Sequence, residues 1–355
     1  MRKMVLFYMI VTLLSGTVVA SETTYGIEVE GLDSLYTEIE SYGIDPEGGL
    51  DKGLVSLWEQ GISLVDSILR GSMKTAILLL AVVLFCGLAE TVEGPQPLSV
   101  VSIVGALAVT RLSVGEVGTM IYLGQETIEK MSYFSTGLLP VMTILTTATG
   151  NLTGAVARQG ATVLFSGILI SIIHQILLPL IYAYMALCCA NASIGNEGLK
   201  KIAEFIKSTV IGFLTSFLIV FVGYLTMSGT IAGSADLVAI RTTKIALSRA
   251  VPVVGGILSD ASEMVLVGAG VLKGSVGVAG MLAVLAICLV PFLELSIHYL
   301  SYKITAALAG TVANPKLSGL IEQISSAFGL ILGMTGTCAL LLLVSIVSSV
   351  SVVMT

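Results

Sequence analysis

Three residues of one apolar stretch have the types and the spacing to relay a proton: Glu294, His298 and Tyr302. They recur every four residues, so on a helix they share one face. Ionisable side chains inside a membrane helix are typical of proton relays and ion paths. The same three residues would equally form a hydrogen-bonded patch that holds helices together, and both interpretations stay open. His174, the only other histidine, also lies in an apolar stretch.

A second set of candidate residues interrupts two apolar segments, 138–158 and 250–274, with groups that bend or charge a helix. Irregular backbone at membrane depth survives only where protein or a water-filled cavity shields it. Paired interrupted segments point to a substrate or ion path in transporters. The alternative is that both segments are broken helices that merely pack. The candidate path or hinge residues are Pro140, Gly150, Asn151, Arg158, Pro252, Gly255, Gly256, Asp260 and Glu263.

Motifs of known enzyme chemistry do not occur in the sequence. No Gly-Lys-Ser/Thr follows a glycine-rich loop, as it does in ATP-binding P-loops, and HExxH and GxSxG are absent. The five cysteines all lie in apolar stretches, outside any CxxC pair. We therefore expect no enzyme activity, no catalytic residue, no cofactor and no metal site. Energy, if the function uses it, would come from a partner or an ion gradient.

Composition indicates the class of protein. Hydrophobic residues make up 55% of the 355 residues and charged residues only 11%, against about 25% charged in soluble domains. A bilayer solvates such apolar surface directly. The net charge is −6, and its acids concentrate between residues 21 and 72, which hold eleven acids and two bases. This balance excludes a nucleic-acid-binding protein, which needs a basic surface.

The order of segments predicts an all-α, polytopic membrane helical bundle with a helical N-terminal tail. Residues 1–20 have the basic start, apolar core and small-residue end of a signal peptide. Residues 21–72 form an acidic, amphipathic tail outside the cytoplasm, whose residues 50–69 would lie on the membrane surface or dock onto a partner. Residues 73–355 form the membrane domain. Six segments are apolar enough to span: about 75–92, 98–112, 160–190, 209–228, 276–295 and 327–353.

Two features qualify this division. The segment 160–190 is overlong and contains Pro179, so we expect it to be tilted, kinked or split. The prolines Pro140 and Pro179 are 39 residues apart, as are Pro252 and Pro291. This spacing predicts an internal repeat of about 98–208 and 210–326. Amphipathic pieces at 116–136, 196–208 and 314–326 lie between the spans.

Two stretches resemble the stage III sporulation protein AE family of endospore-forming Firmicutes. One is GLLPVMTILTTATGNLTG at residues 137–154. The other is IRTTKIA at residues 240–246, followed by VPVVGGILSD at residues 251–260. The resemblance covers nearly the whole chain and brings no catalytic residues with it.

The resemblance implies a membrane platform or channel subunit of the trans-envelope secretion complex that links mother cell and forespore. It implies a place in the mother-cell membrane that surrounds the forespore, and a role in spore development after engulfment. The implied partners are other proteins of the stage III sporulation A operon, including a cytoplasmic ATPase and ring-forming proteins, and the forespore protein Q. Membrane lipid is a further partner, and GxxxG spacings permit a homo-oligomer.

Two other functions fit the residues. A secondary transporter for a small solute would use Glu294 and His298 as a coupled site. A non-conducting scaffold would recruit the ring-forming partners. A pore built from several subunits needs self-association, whereas a transporter works as a monomer.

Overall fold

The computed structural model describes the backbone of residues 32–45, 49–93, 100–149, 152–250, 255–311 and 315–351. Side chains are described throughout these ranges except in residues 91–93, 152–155, 229–250, 255–269 and 351. The predicted signal peptide lies outside them, and its cleavage stays a prediction.

The described residues form eight α-helices. In chain order they are α1 (Leu32–Ser41), α2 (Gly49–Glu93), α3 (Val100–Ala148), α4 (Leu152–Ile172), α5 (Leu178–Ile194), α6 (Glu197–Ala250), α7 (Gly255–Ala309) and α8 (Pro315–Ser351). A π-helical turn, Ile173–Leu177, joins α4 to α5. The prediction of an all-helical bundle is confirmed.

Six helical stretches are long and apolar enough to cross a membrane, as the sequence predicted. They are Gly49–Glu90, Val100–Ala148, Val156–Ile194, Glu197–Ser228, Gly270–Ala309 and Pro315–Val350. Each overlaps one of the predicted spans. The amphipathic pieces 116–136, 196–208 and 314–326 are not separate helices, because each continues into a span.

Helices α7 and α8 occupy the centre of the bundle. In their most apolar windows 56% and 61% of the residues are buried inside the protein, against 22–33% in the other four spans. The two helices approach closely: Tyr299 of α7 lies against Gly329 of α8, and Phe292 against Gly336. Small residues permit such contacts between membrane helices, where packing rather than burial from water drives association.

The predicted kink near Pro179 takes the form of the π-helical turn. Proline has no backbone N–H and crowds the preceding turn, so an α-helix cannot run through it undisturbed. The backbone N–H of Leu178 donates to the carbonyl of Ile173, five residues back. The helix widens locally and continues, so α4 and α5 form a single span.

The connection between α5 and α6 explains why these two helices fold back on each other. Gly195 ends α5 in the left-handed region, at φ 72°, and donates to the carbonyl of Asn191 over 2.7 Å. Glycine reaches this region without the clash that a Cβ causes. The Asn196 side chain then accepts from the N–H of Gly198 over 2.8 Å and caps α6.

The breaks between helices in the two interrupted segments are shorter than the sequence suggested. Pro140 lies inside the continuous helix α3, so the expectation that it breaks the helix is wrong. The helix ends at Ala148 and α4 begins at Leu152. In the second segment α6 ends at Ala250, and residues 255–274 already belong to α7. Pro140 is exposed, and membrane helices tolerate proline where neighbouring groups satisfy the backbone groups that it frees. The internal repeat stays a prediction.

The acidic tail does not end at residue 72. Helix α2 runs from Gly49 through that boundary into the apolar span without a break. Its first half packs on α7, with Gly53 against Leu282. Residues 50–69 therefore dock onto the chain's own α7, an alternative that sequence reasoning did not consider.

Candidate functional site

A carboxylate at the junction of α2, α3 and α7 gathers hydroxyl groups from all three helices. Glu116 of α3 accepts a hydrogen bond of 2.7 Å from the phenol of Tyr302 on α7. Its second oxygen accepts from the hydroxyl of Thr75 on α2. The Tyr302 phenol also lies 3.3 Å from the hydroxyl of Ser113. This cluster of Glu116, Thr75, Ser113 and Tyr302, here called the Glu116 cluster, ties three helices together.

The predicted polar face of Glu294, His298 and Tyr302 separates into different environments. The Nδ1 atom of His298 lies 2.8 Å from the backbone carbonyl of Glu294 and not beside its carboxylate. The His298 ring packs on Phe328 of α8, with centroids 5.7 Å apart. Tyr302 is fully buried and reaches across to Glu116. Among the described residues, the carboxylate–imidazole pair that a coupled transporter would need is thus not formed.

Glu116 was missing from the predicted site, although its partner Tyr302 was included. The two are 186 residues apart in the sequence, and the spacing of a single chain carries no sign of such a contact. The one available signal was the type of residue, a carboxylate in the piece 116–136. The sequence predicted that piece only as an amphipathic stretch between spans, which gave its carboxylate no partner.

The candidate path residues do not converge in the part of the structure that is described. Gly150, Asn151 and Pro252 lie outside the described residues. Gly255 and Gly256 are the first two residues of α7, and they are helical. Asp260 and Glu263 follow them on the same helix, with side chains outside the described set. Their role in a path stays a prediction.

Arg158 is the exception, because its side chain is described and its position is unusual. It lies on α4 and is only 1% exposed. Lys273 of α7, which has no exposed surface at all, is within electrostatic range of it. The sequence drew attention to Arg158 by its type but gave no reason to join it with Lys273.

A third polar region is formed where α1 and the residues after it pack against α3. The carboxyl of Glu38 on α1 lies beside Gly137 of α3, and the Tyr42 ring packs edge-on against Phe134 at 6.4 Å between centroids. Burial raises the pKa of the Glu38 carboxyl above its ordinary value. Burial, and then the charge of Glu38, raise the pKa of Tyr42. An open depression of about 390 Å³ on α2 is lined by Asp51, Lys52, Val55, Ser56 and Glu59.

Metal chemistry finds no support in the described part of the chain. No group of three or more His, Cys, Asp or Glu side chains there lies close enough together to hold an ion. The oxygen atoms of the Glu116 cluster belong to one carboxylate and three hydroxyls. Its evident effect is to hold helices in register.

Comparison with known proteins gives one consistent result. The family model of Stage III sporulation protein AE (spore_III_AE) matches residues 53–353. The stage III sporulation protein AE of Bacillus subtilis (strain 168) is 24% identical over 266 residues, which cover 73% of this chain and 65% of that relative. The chain thus spans just under two thirds of the length of the relative it matches. No solved structure matches.

Proposed function

Because the chain belongs to the Stage III sporulation protein AE family, we propose that this multi-pass membrane protein is a platform or channel subunit of the complex that links mother cell and forespore. It would act in the mother-cell membrane around the forespore and support spore development after engulfment. Its proposed partners are other stage III sporulation A-operon proteins, among them an ATPase and ring-forming proteins, and the forespore protein Q.

The observation that carries the proposal is a charged surface at the depth of an apolar span. On α2, Gly61 lies beside Leu289 and Leu293 of α7, 3.6 and 3.7 Å from where its Cβ would be. Together with the contact of Gly53 and Leu282, this aligns residues 53–61 with residues 282–293. The latter lie within Gly270–Ala309 of α7, a stretch that is apolar enough to span a membrane.

The part of α2 aligned in this way exposes charged groups. Asp51, Lys52 and Glu59 all face outward. On α3, Met131 lies at the same level, since its sulfur is 3.3 Å from that of Cys288 on α7. One residue before Met131, Lys130 forms an exposed ion pair of 2.9 Å with Glu126. We call these exposed charged residues at one level of the bundle, Asp51, Lys52, Glu59, Glu126 and Lys130, the charged face.

Lipid cannot cover the charged face at low cost. A charged side chain at the centre of a membrane helix costs about 2.5–3.5 kcal/mol on insertion scales, so covering these charges with lipid would be unfavourable. Charges at this depth face a water-filled cavity or other protein. A platform or channel subunit supplies both, in a passage lined by copies of the chain or by its partners.

The reactivity of engineered cysteines tests this proposal. The five native cysteines are first replaced, and Glu59→Cys and Lys130→Cys are compared with Leu164→Cys and Ile219→Cys. The two controls are exposed apolar positions, 65% and 66% accessible, on α4 and α6. After reconstitution into bilayers with its partners, we expect a hydrophilic thiol reagent to modify the first pair and to leave the second pair unmodified, because lipid shields it.

A functional arm separates a conducting subunit from a scaffold. A bulky charged reagent attached at Glu59→Cys should arrest forespore development if the charged face lines a passage. Modification without arrest would favour the scaffold. Should Glu59→Cys be as unreactive as Ile219→Cys, the charged face is covered and the passage does not run along it.

A further inference from the structure

The start of α6 exposes two lysines next to apolar side chains, on a surface that the proposed function does not use. Lys200 and Lys201 lie in the first two turns of the helix and are exposed. Ile202 and Phe205, which follow them, are 51% and 70% exposed. The next stretch, 208–235, contains no charged residue. The helix therefore passes from a basic start into an uncharged stretch that is long enough to cross a membrane.

Other lysines near this end of the bundle take part in contacts between helices. Lys207 of α6 donates to a serine hydroxyl of α8 over 2.9 Å. Lys303 of α7 forms an ion pair of 2.5 Å with Glu322 of α8. Lys200 and Lys201 are exposed instead, so their charges face what surrounds the bundle.

Two carboxylates are exposed on the same turns of α6, Glu197 and Glu204. Glu197 is the first residue of the helix, where the helix dipole favours a negative charge. Glu204 lies one turn after Lys200, so it lowers the positive potential of the surface without cancelling it.

Contacts with α8 give the level of this surface in the bundle. Lys316 lies over the turn between α5 and α6, with its Nζ atom 2.9 Å from where a Cβ of Gly195 would be. The next residue, Leu317, lies against Gly105 of α3. The turn is thus level with Gly105, and α6 runs from it back into the bundle. The two exposed lysines follow the turn by five and six residues, about 8–9 Å along a helix.

Apolar surface is exposed at this same level on the other side of the bundle. Val104 and Leu107 of α3, on either side of Gly105, are 58% and 59% exposed. On α2, the Cys86 sulfur lies beside Gly105, and its neighbour Phe85 is 73% exposed. In a membrane protein such surface is covered by lipid. The two lysines of α6, which lie deeper than the turn, are therefore at a depth that lipid reaches.

A lysine at this depth keeps its charge out of the acyl chains. Its apolar stem extends along them while its ammonium group reaches the headgroups. Anionic lipids attract such groups, and each lysine near the surface increases the affinity about fivefold. Exposed apolar side chains beside the lysines fit the acyl side of the same boundary.

We propose that the start of α6 is a binding surface for the headgroups of anionic phospholipids. Lys200 and Lys201 donate charge-assisted hydrogen bonds to the phosphate groups, while Ile202 and Phe205 contact the acyl chains. The observations favour lipid over an acidic protein segment, because this surface continues into the apolar outer side of α6. Ile219, close to the same helix face as Phe205, is 66% exposed. The surface is separate from the charged face, and it binds lipid whether or not the protein conducts.

Quenching of tryptophan fluorescence by brominated lipids tests this proposal. Trp58 is the only tryptophan of the chain, so Trp58→Phe gives a background for a single reporter. Phe205→Trp reports on the proposed surface, and Phe85→Trp reports on the apolar surface of α2. The full-length protein is reconstituted into bilayers of phosphatidylcholine and phosphatidylglycerol, with bromine on the acyl chains of one lipid or the other. The two quenching curves give the affinity for phosphatidylglycerol relative to phosphatidylcholine at each reporter.

Both reporters should be quenched, but only Phe205→Trp should show a preference that depends on the lysines. There we expect phosphatidylglycerol to be preferred by about fivefold for each lysine that contacts it. Lys200→Gln with Lys201→Gln should bring the preference close to one, and arginine at both positions should keep it. Glu204→Gln should strengthen the preference, because it removes a charge that repels phosphate. The Phe85→Trp reporter should respond to none of these changes.

Three outcomes would overturn the proposal. The first is a preference for phosphatidylglycerol at Phe205→Trp that is the same with and without the two lysines. The second is a Phe205→Trp reporter that escapes quenching while Phe85→Trp is quenched, since water or an acidic protein segment then covers the start of α6. The third is the absence of quenching at both reporters, which would mean that lipid does not reach this level. Quenching of Phe85→Trp in each variant shows that it has inserted into the bilayer.

Discussion

The phenol of Tyr302 on α7 donates a 2.7 Å hydrogen bond to the carboxylate of Glu116 on α3. Thr75 of α2 donates to the other oxygen of the same carboxylate. A shift of any one of the three helices therefore alters its hydrogen bonds with the others. The cluster lies where the charged half of α2 passes into its apolar half. It therefore fixes how far α2 slides along α7, and with it the position of the charged face.

Removing the hydroxyl group of Tyr302 should destabilise the bundle without creating a cavity in its core. Tyr302→Phe keeps the ring, which packs on Phe328 with centroids 5.0 Å apart, and removes only the donor. Hydrogen bonds between membrane helices contribute about 0.6 kcal/mol on average and up to about 1.7. We expect the free energy of unfolding of Tyr302→Phe to fall by an amount in this range, which is detected as a lower melting temperature in detergent. Tyr133→Phe is the control, because Tyr133 is 72% exposed. Equal melting temperatures for Tyr302→Phe and the wild type would show that the cluster does not hold the helices.

This cluster also shows where sequence reasoning succeeded and where it stopped. Contiguous apolar runs specify membrane helices by length and composition, so the six spans were predictable. Pro179 was a sound signal of a distorted helix because its missing N–H acts locally. Contacts such as that of Tyr302 with Glu116 depend on which helices become neighbours. The docking of α2 onto α7 was missed for the same reason, and the sequence predicted only the membrane surface or a partner as the contact of residues 50–69.

The residues Glu294 and His298 should tolerate replacement. His298 interacts with the backbone carbonyl of Glu294, a group that every residue at position 294 supplies. The double variant Glu294→Gln, His298→Asn should therefore keep the yield of heat-resistant spores near that of the wild type. The test uses a spore-forming host that lacks its own copy of the gene. Protein levels are measured by immunoblot.

A block in spore formation at normal protein level would contradict this expectation. It would favour a proton- or ion-coupled role for the pair and return the secondary transporter to consideration. The Glu116→Gln variant serves as a comparison, because it disturbs a carboxylate that does hold two hydrogen bonds.

The docking of α1 should depend on pH through Glu38. Burial raises the pKa of this carboxyl in the folded protein, so the folded state binds its proton more tightly than the unfolded state does. The stability that the folded protein gains by binding this proton is fully present below the ordinary pKa of a glutamate, about 4.3. It is lost as pH rises through the higher, folded pKa.

Glu38→Gln should remove this contribution to the pH dependence. We expect the variant to melt at the same temperature as the wild type near pH 4 and at a higher temperature near pH 7. Glu40→Gln is the matched control, since Glu40 is exposed on the same helix. If instead the melting temperature of the wild type rises above that of Glu38→Gln as the pH increases, ionised Glu38 has a favourable partner. That result would be the opposite of the effect of burial.

The last prediction concerns how closely α2 and α7 approach, which sets the depth of the charged face. Gly53 and Gly61 both lie on α2 against α7, but the space at each differs. A Cβ added at Gly53 would overlap the Leu282 side chain, with Cδ2 at 2.8 Å and Cγ at 3.1 Å. At Gly61 the nearest atoms, from Leu289 and Leu293, are 3.6 and 3.7 Å away, which is ordinary contact.

Alanine should therefore have opposite effects at the two positions. In a helix it gains about 0.8–1.0 kcal/mol over glycine where space permits, so Gly61→Ala should match or exceed the wild type in melting temperature. Gly53→Ala must displace Leu282, which has no exposed surface, and overpacking of this kind costs about 1–3 kcal/mol. We expect a lower melting temperature for Gly53→Ala, and Gly53→Ala with Leu282→Ala should lose less than the two single variants lose together, because the overlapping methyl groups are gone. If both single variants behave alike, α2 is not held against α7 at this register. The charged face would then lie at another depth, and the water-filled passage would lose its main support.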